Sequence, residues 1–557
     1  MGIGLRRHPL GTQVPALHRR DHASRRPRRT LSAALVLVIL TSGMTACTAP
    51  VTGPAVATGD SPAQDAVSLG APLEERIADA VRALPQLARD GLDRTGVPGM
   101  SIAVVHDDRL LFSDGYGLIE KGGEQPVTAD TVFQIASISK PLSATAVAAV
   151  GREIGVDWST PISSVLPDFE LSDPVVSERA TIGDAFSHRM GLATGSGDDL
   201  EDIGYDRDTI LSRLRLLPLA PFRSSYHYSN FGLTVGAEAV AEAAGEPWED
   251  LIDRAVFEPL AMTSSSARHE DYLSHPDRAR LHALVDGSFE PLYDRDPDPQ
   301  SPAGGVSSTA NDMSAWMRLL LAGGSFGTRT VADPDLLREA MTPQIVNSPS
   351  GSTDQRPGHY GFGFNASPLV SGRMAVSHSG AFSLGAATAF QVVPDLDLGI
   401  VVLTNGAPVG LPEAVAAAFL DLVQFGKVTR DWVADAEAAF APYTAPDGDL
   451  VGVPRPADPA PAAPDSALVG RYLNPYFGEA TVRRTDDGLV ASIGPDGRAR
   501  LLLEDWDGPV FAYSPSAENE PAGSRASAEF VLDGGTARTL RLSSFDAQGF
   551  GTWTRAG

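Results

Sequence analysis

Ser137 and Lys140 stand three residues apart in the stretch FQIASISKPLSATAV, residues 133–147. In a helix, positions i and i+3 are surface neighbours, so a hydroxyl and an amine at this spacing share one face. Pro141 and the alanine-rich run behind it mark a helix start, because proline is tolerated where backbone N–H groups still lack partners. The spacing therefore predicts Ser137 at a helix N-terminus, where unpaired N–H groups and the macrodipole favour negative charge. A serine nucleophile needs a neighbour that takes its proton, and a desolvated lysine amine does so. Lysine usage singles out this position: Lys and Arg together number 44, yet the lysines are only Lys121, Lys140 and Lys427. Arginine does not deprotonate in a protein, so a position that needs a base resists replacement by it. One S-x-x-K match alone is as compatible with chance as with catalysis. Two more short motifs follow it in order, Tyr228-Ser229-Asn230 and His378-Ser379-Gly380. By itself Tyr228 reads as a packed aromatic, its neighbours Tyr226 and His227 as wall or surface residues, and His188 as a structural histidine near the site.

Elements that could position these groups are legible on both sides. Residues 73–92 carry apolar positions at helical spacing. Residues 99–106 and 109–117 read as two strands joined by Asp107-Asp108. Residues 180–192 predict a short helix carrying His188, and 193–208 a long acidic, glycine-rich loop. A helix is expected to open near 224 and run to 244, and a glycine turn with an amphipathic helix over 301–321. Strands over 386–393 and 398–403 and a helix over 412–425 close the unit. Strands at both ends with helices between predict an α+β fold, with an antiparallel sheet assembled from the two termini plus a helical region. Seven prolines between 442 and 464 read as a linker. Beyond it, seven or eight short strands in about 90 residues predict a small all-β barrel or sandwich.

At 557 residues, two folded units with tails are expected. The formal charge is −26, and without the first 46 residues, which hold eight arginines and one aspartate, it is −33. So acidic a body argues against nucleic acid or an anionic membrane surface as partner. The arginine-rich start, the apolar run LSAALVLVIL and the small residues TSGMTA ahead of Cys47 are ordered as in a secretory signal. That apolar run is shorter than the roughly 20 residues a membrane span needs. Met44-Thr45-Ala46-Cys47 resembles a bacterial lipobox, which implies a lipid anchor on Cys47; plain secretion with cleavage nearby is the alternative. Cys47 is the single cysteine, so no internal disulfide is possible. The expected organisation is a lipoprotein-type signal over 1–47, a flexible linker over 48–72, an α+β domain carrying the three motifs over 73–430, a Pro-rich linker over 431–465 and a β domain over 466–557.

S-x-x-K, then Y-x-N, then H-x-G resembles the class C β-lactamase and penicillin-binding-protein-like serine hydrolases. The phrases VPGMSIAVV, DTVFQIASISKP, SHRMGL, YSNFGL, AGGVSSTANDM and HSG followed by VVPDLDLGIVVLTN are similar to that family over roughly residues 73–425. The resemblance implies that Ser137 attacks a carbonyl to form an acyl-enzyme, with Lys140 and Tyr228 sharing general-base duty. A phenol ordinarily titrates near pH 10, and a nearby Lys140 ammonium is expected to stabilise its phenolate. It implies that Asn230 holds the substrate amide or Lys140, that His378, Ser379 and Gly380 position substrate, and that the Ser137 and Ala381 backbone N–H groups form the oxyanion hole. Antibiotic-resistance members carry lysine where this chain has His378, so substrate choice is expected to move toward esters, amides and D-amino-acid peptides, with no cofactor. A β-lactamase and a non-catalytic cell-wall receptor are the competing readings. The C-terminal unit, with GRYLNPYFGEATV and a closing GFGTWTR, is similar to lipocalin-like barrels appended to such hydrolases. Metal catalysis lacks a sequence basis, with no H-E-x-x-H and no cysteine pair. Partners expected are a small-molecule or peptide substrate and, through Cys47, a membrane, which places the protein outside the cytoplasm.

Overall fold

The structure, a computed structural model, describes residues 71–557 apart from 516, 517, 519 and 520. Cys47 and the signal sequence lie outside the described residues.

Eight strands form one antiparallel sheet: β1 (Gly99–His106), β2 (Arg109–Gly117), β3 (Ile345–Ser348), β4 (Gly358–Tyr360), β5 (Asn365–Pro368), β6 (Met374–Phe382), β7 (Ala386–Val393) and β8 (Leu398–Thr404). Their order is β2-β1-β8-β7-β6-β5-β4-β3, so strands from the two ends of this unit meet where β1 pairs β8, with Ile102 opposite Val402. The helices that matter to the site are α1 (Leu73–Thr95), α2 (Ser139–Ile154), α3 (Asp198–Asp202), α4 (Asn230–Ala244), α5 (Ser301–Gly304), α6 (Ala310–Leu321), α7 (Leu411–Phe425) and α8 (Trp432–Thr444).

Strand periodicity explains why β1 and β8 are apolar throughout. Successive side chains point to opposite faces, and both faces are covered. Ile102, Val104, Ile400 and Val402 meet Leu84 of α1 and Val415 of α7. Ala103, Val105, Val401 and Leu403 meet Met313, Trp316 and Met317 of α6. Buried Val, Leu or Ile side chains contribute about 1.5–3 kcal/mol each, which makes this sheet a rigid base for β6, the strand carrying the third motif. Buried almost along its whole length, α2 lies in the larger of these two cores.

Three expectations change. The 180–192 helix is only Ile182–Phe186, opened by a Thr181–Asp184 capping box and followed by left-handed turns at His188 (φ 56°) and Gly191 (φ 95°). The helix expected from 224 starts at Asn230, because the Ser229 side chain accepts the Gly232 N–H and caps it. Residues 432–444, assigned by composition to the linker, form α8, whose Trp432 and Ala436 pack on Ala414 and Ala418 of α7. Apolar burial at helical spacing outweighs the Pro442 signal, since that proline falls in the last turn.

The C-terminal unit is a closed barrel of eight antiparallel strands, not a sandwich, running from Gly470–Asn474 to Thr552–Arg555. Closure leaves no free strand edge, and Tyr472, Phe477, Phe530 and Trp553 are buried in it. The turn after its first strand docks on the α+β unit. Tyr205 Oη donates to the Phe477 carbonyl at 2.9 Å and Arg213 Nη1 to the Tyr476 carbonyl at 2.6 Å.

Candidate active site

Ser137 sits in a single 3-10 turn, Ala136–Ile138, directly ahead of α2 rather than inside it. Ala136 adopts a left-handed conformation (φ 47°), strain of about 1–3 kcal/mol that persists only where the surroundings impose it. Here the imposing element is β6. A Cβ on Gly380 would lie 2.1 Å from the Ile135 carbonyl oxygen and 2.9 Å from the Ser137 nitrogen, so only glycine permits this approach. Within residues 131–140 Ser137 alone is not fully buried, which leaves its hydroxyl reachable.

The three motif residues expected to do chemistry converge. Lys140 Nζ donates to Ser137 Oγ at 3.0 Å, to Asn230 Oδ1 at 2.8 Å and to the Ala303 carbonyl of α5 at 2.8 Å. Tyr228 Oη donates to Ser137 Oγ at 2.8 Å, and Lys140 Nζ lies 4.6 Å from the centre of its ring. Burial away from water pulls the Lys140 amine down to about 7, against weaker support for its charge from Asp198 and Glu201. Near neutral pH it can therefore hold or release its proton. Tyr228 differs from expectation. Desolvation raises its phenol well above the ordinary value, which opposes formation of a phenolate.

The third motif also differs. His378 Nδ1 lies 2.6 Å from the Ser379 carbonyl oxygen, which accepts only, so this nitrogen carries the proton. Its Nε2 then accepts from Tyr360 Oη at 2.9 Å. Burial pulls His378 down to about 3, helped by the nearby Lys140 charge. The imidazole is neutral, with both nitrogens held by protein, and offers no cation to a substrate. Ser379 is buried and turned toward Glu413, while half-exposed Ala381 follows the point where β6 touches the Ser137 turn. His188 keeps its structural place: the Ser229 N–H donates to its Nδ1 at 3.2 Å, and its ring packs on Tyr226, Tyr228 and Tyr360.

Residues 84–425 match the beta-lactamase family, more than half of the chain. The chain belongs to the beta-lactamase family. Residues 454–553 match a domain of unknown function. This family member is 26% identical over 439 residues to an unguisins hydrolase of Aspergillus campestris, covering 74% of this chain and 78% of that one. To esterase EstB of Burkholderia gladioli it is 26% identical over 406 residues, covering 64% and 96%. A penicillin-binding protein homologue from Pyrococcus abyssi, described as octameric, superposes with a TM-score of 0.55 at 18% identity, covering 83% of this chain and 98% of that one, a likeness of fold.

Two acids of this family member escape a reading of motifs. Asp198 Oδ1 accepts from Asn230 Nδ2 at 3.2 Å, which fixes the amide so that its oxygen faces Lys140. Desolvation pushes this carboxyl up to about 7. The segment 193–208 is thus not a free loop: its middle is α3, wedged between the site and the barrel, where Tyr476 Oη donates to Asp199 Oδ1 at 3.1 Å. Glu413, in the first turn of α7, is buried beside Ser379, desolvated up to about 7, and its Oε2 has no hydrogen-bond partner. The run GDDLED was the available signal for Asp198, while a lone acid within an apolar helix gave little for Glu413. Among the described residues no group of three His, Cys, Asp or Glu is placed to hold a metal ion.

Proposed function

We propose that this protein is a serine hydrolase that cleaves small ester, amide or D-amino-acid peptide bonds through an acyl-serine intermediate. The observation that carries the reading is the convergence of Lys140 Nζ and Tyr228 Oη on one reachable Ser137 hydroxyl. Neutral Lys140 takes the Ser137 proton as Oγ attacks the carbonyl carbon. The oxyanion forms against the Ser137 and Ala381 N–H groups, a stabilisation worth about 10²–10³ in rate per donor. Tyr228, kept as a neutral phenol, passes a proton to the leaving group and regains one from the Lys140 ammonium. Water then attacks the acyl group with the same amine as base, and Ser137 is restored. Neutral His378 supports the ester and amide reading over β-lactam turnover, since a β-lactam carboxylate finds no ammonium there. Export and anchoring through Cys47 form part of the proposal on the order of residues 1–47 alone.

A fluorophosphonate probe tests the centre: mass spectrometry should find the adduct on Ser137, with none in Ser137→Ala. An unlabelled wild-type protein that also leaves p-nitrophenyl esters intact would overturn the reading. Cys47→Ser should shift the protein from the detergent fraction to the aqueous one.

A further inference from the structure

Three phenols pack around one histidine beside the catalytic serine. Tyr226, Tyr228 and Tyr360 all touch the His188 ring, at centroid distances of 5.5, 4.6 and 5.1 Å. Two of their hydroxyls are engaged within the protein: Tyr228 Oη donates to Ser137 Oγ and Tyr360 Oη to His378 Nε2. The Tyr226 hydroxyl has no hydrogen-bond partner among the described residues. It still meets solvent, which separates it from the sealed orphan atoms of this fold. Desolvation nonetheless raises its phenol well above the ordinary value. A group that is part-exposed yet strongly desolvated lines a cleft rather than an outer surface.

The local chain explains the placement. From 225 to 228 side chains alternate as they do in a strand. Ser225 Oγ lies 2.8 Å from His227 Nε2 on one side, while Tyr226 and Tyr228 share the other, with ring centres 6.5 Å apart. The His227 N–H donates to the His188 carbonyl at 2.9 Å and the Gly195 N–H to the Tyr228 carbonyl at 3.0 Å, which holds the segment in place. Tyr226 therefore stands one strand repeat from the phenol that serves the leaving group. Its ring also packs at 5.3 Å on Tyr360, the partner of His378. His378 lies three residues before Ala381 on β6, about 10 Å at roughly 3.3 Å per residue. Tyr226 is thus on the side of the departing group, away from the oxyanion hole.

Charge decides what that hydroxyl takes. Among the described residues no cation bears on Tyr226, and the neighbouring Tyr228 phenol disfavours negative charge there. Lys140 Nζ is engaged by Ser137, Asn230 and the Ala303 carbonyl, and His378 is neutral. A carboxylate placed at Tyr226 would lose its water without gaining a counter-ion, whereas a neutral carbonyl needs only one donor. We propose that Tyr226 is a specificity residue for the leaving group, its hydroxyl donating to an uncharged carbonyl that the departing alcohol or amine carries. Amides and esters that continue past the scissile bond are then preferred over those that end in a free carboxylate. This rests on the hydrolase reading and names which of its substrates are favoured.

The test compares three butyrate esters at pH 8 that differ only in the alcohol: 2-(methylcarbamoyl)ethyl, its apolar isostere 3-methylpentyl, and 2-carboxyethyl. Comparing the kcat/KM ratio of amide to alkyl ester between wild type and Tyr226→Phe cancels the intrinsic reactivity of the alcohols. Tyr226→Phe keeps the ring and removes a hydroxyl without a protein partner, so it should fold. The amide-to-alkyl ratio should fall about threefold to tenfold, the worth of one neutral hydrogen bond, whatever happens to the absolute rate. The carboxylate-to-alkyl ratio should fall less. Ser225→Ala, which disturbs the same segment from its other side, should keep the wild-type ratio. A smaller fall in Tyr226→Phe, an equal fall in Ser225→Ala, or a larger loss for the carboxylate than for the amide would overturn the assignment while leaving the hydrolase intact. If no ester is cleaved and Ser137 takes no probe, the hydrolase reading fails instead. The uncleaved amide and alkyl esters are then titrated calorimetrically, and an affinity ratio equal in wild type and Tyr226→Phe, or no binding to wild type, refutes the role of Tyr226.

Discussion

A lysine amine drawn down to about 7 is a base that works at the pH where most proteins live. Only its neutral form accepts the Ser137 proton, so kcat/KM should rise with pH and level off above an apparent value of about 7. Asp198 and Glu201 lie close enough to titrate with it, so that value belongs to the group. Lys140→Met keeps the length of the side chain and removes the amine; kcat should fall about 10²–10⁴-fold, the usual worth of a positioned base. A profile flat from pH 5 to 9 would refute the assignment. Asp198 acts one step behind. Asp198→Ala strands the Asn230 amide, and losing the partner of an enclosed polar group, about 1–3 kcal/mol, predicts a roughly 10–100-fold lower kcat. Asp198→Asn still accepts from Asn230 but no longer supports the ammonium, so it should retain most of kcat and move the acid limb to lower pH. Ser137, Lys140 and Tyr228 were legible because family motifs mark them. Asp198 was not, because its contact joins residues 32 apart through a turn that no local pattern marks.

At the scale of elements, one strand and one turn define the site. The bend at Ala136, the 3-10 turn and the edge of β6 hold Ser137 between donors. Gly380→Ala tests this directly, since its Cβ would collide with the Ile135 carbonyl and crowd the Ser137 nitrogen. Stability should drop by about 1–3 kcal/mol, as overpacking usually does, and kcat by more than that loss explains, because the Ser137 turn moves. Folded protein with unimpaired hydrolysis would show that β6 does not set the turn. The sheet was readable from its period-2 apolar runs, and α2 from Pro141 and the alanines behind it. Helix α8 was not, because the prolines that begin at Pro442 mask the helical spacing of Trp432, Ala436 and Phe440, the residues it buries. Nor was the neutrality of His378 readable, for it follows from burial and from the hydroxyl of Tyr360 on β4, two strands away.

At the scale of the whole molecule, the barrel and the hydrolase unit meet over carboxyl groups that burial has made reluctant to ionise. Asp199, which takes the Tyr476 hydroxyl, is pushed up to about 6 by desolvation. Two folded units in order were expected from length and from the change of strand pattern, but this contact was not, since neither partner stands out in its own stretch. A group whose folded value exceeds its unfolded one binds more protons when folded, so its stabilising share is complete below about pH 4 and is lost as pH rises through about 6. His378, buried neutral at about 3, contributes in the opposite sense: its share is present above about 6.5 and is lost as pH falls. The net curve mixes both, so a difference isolates Asp199. Asp199→Asn keeps an oxygen for Tyr476 and cannot ionise. Its melting temperature should match or fall below wild type at pH 4 and exceed it at pH 8, the gap opening between pH 4 and 6. A difference constant across that range would mean that the Asp199 proton is not part of what holds the barrel in place.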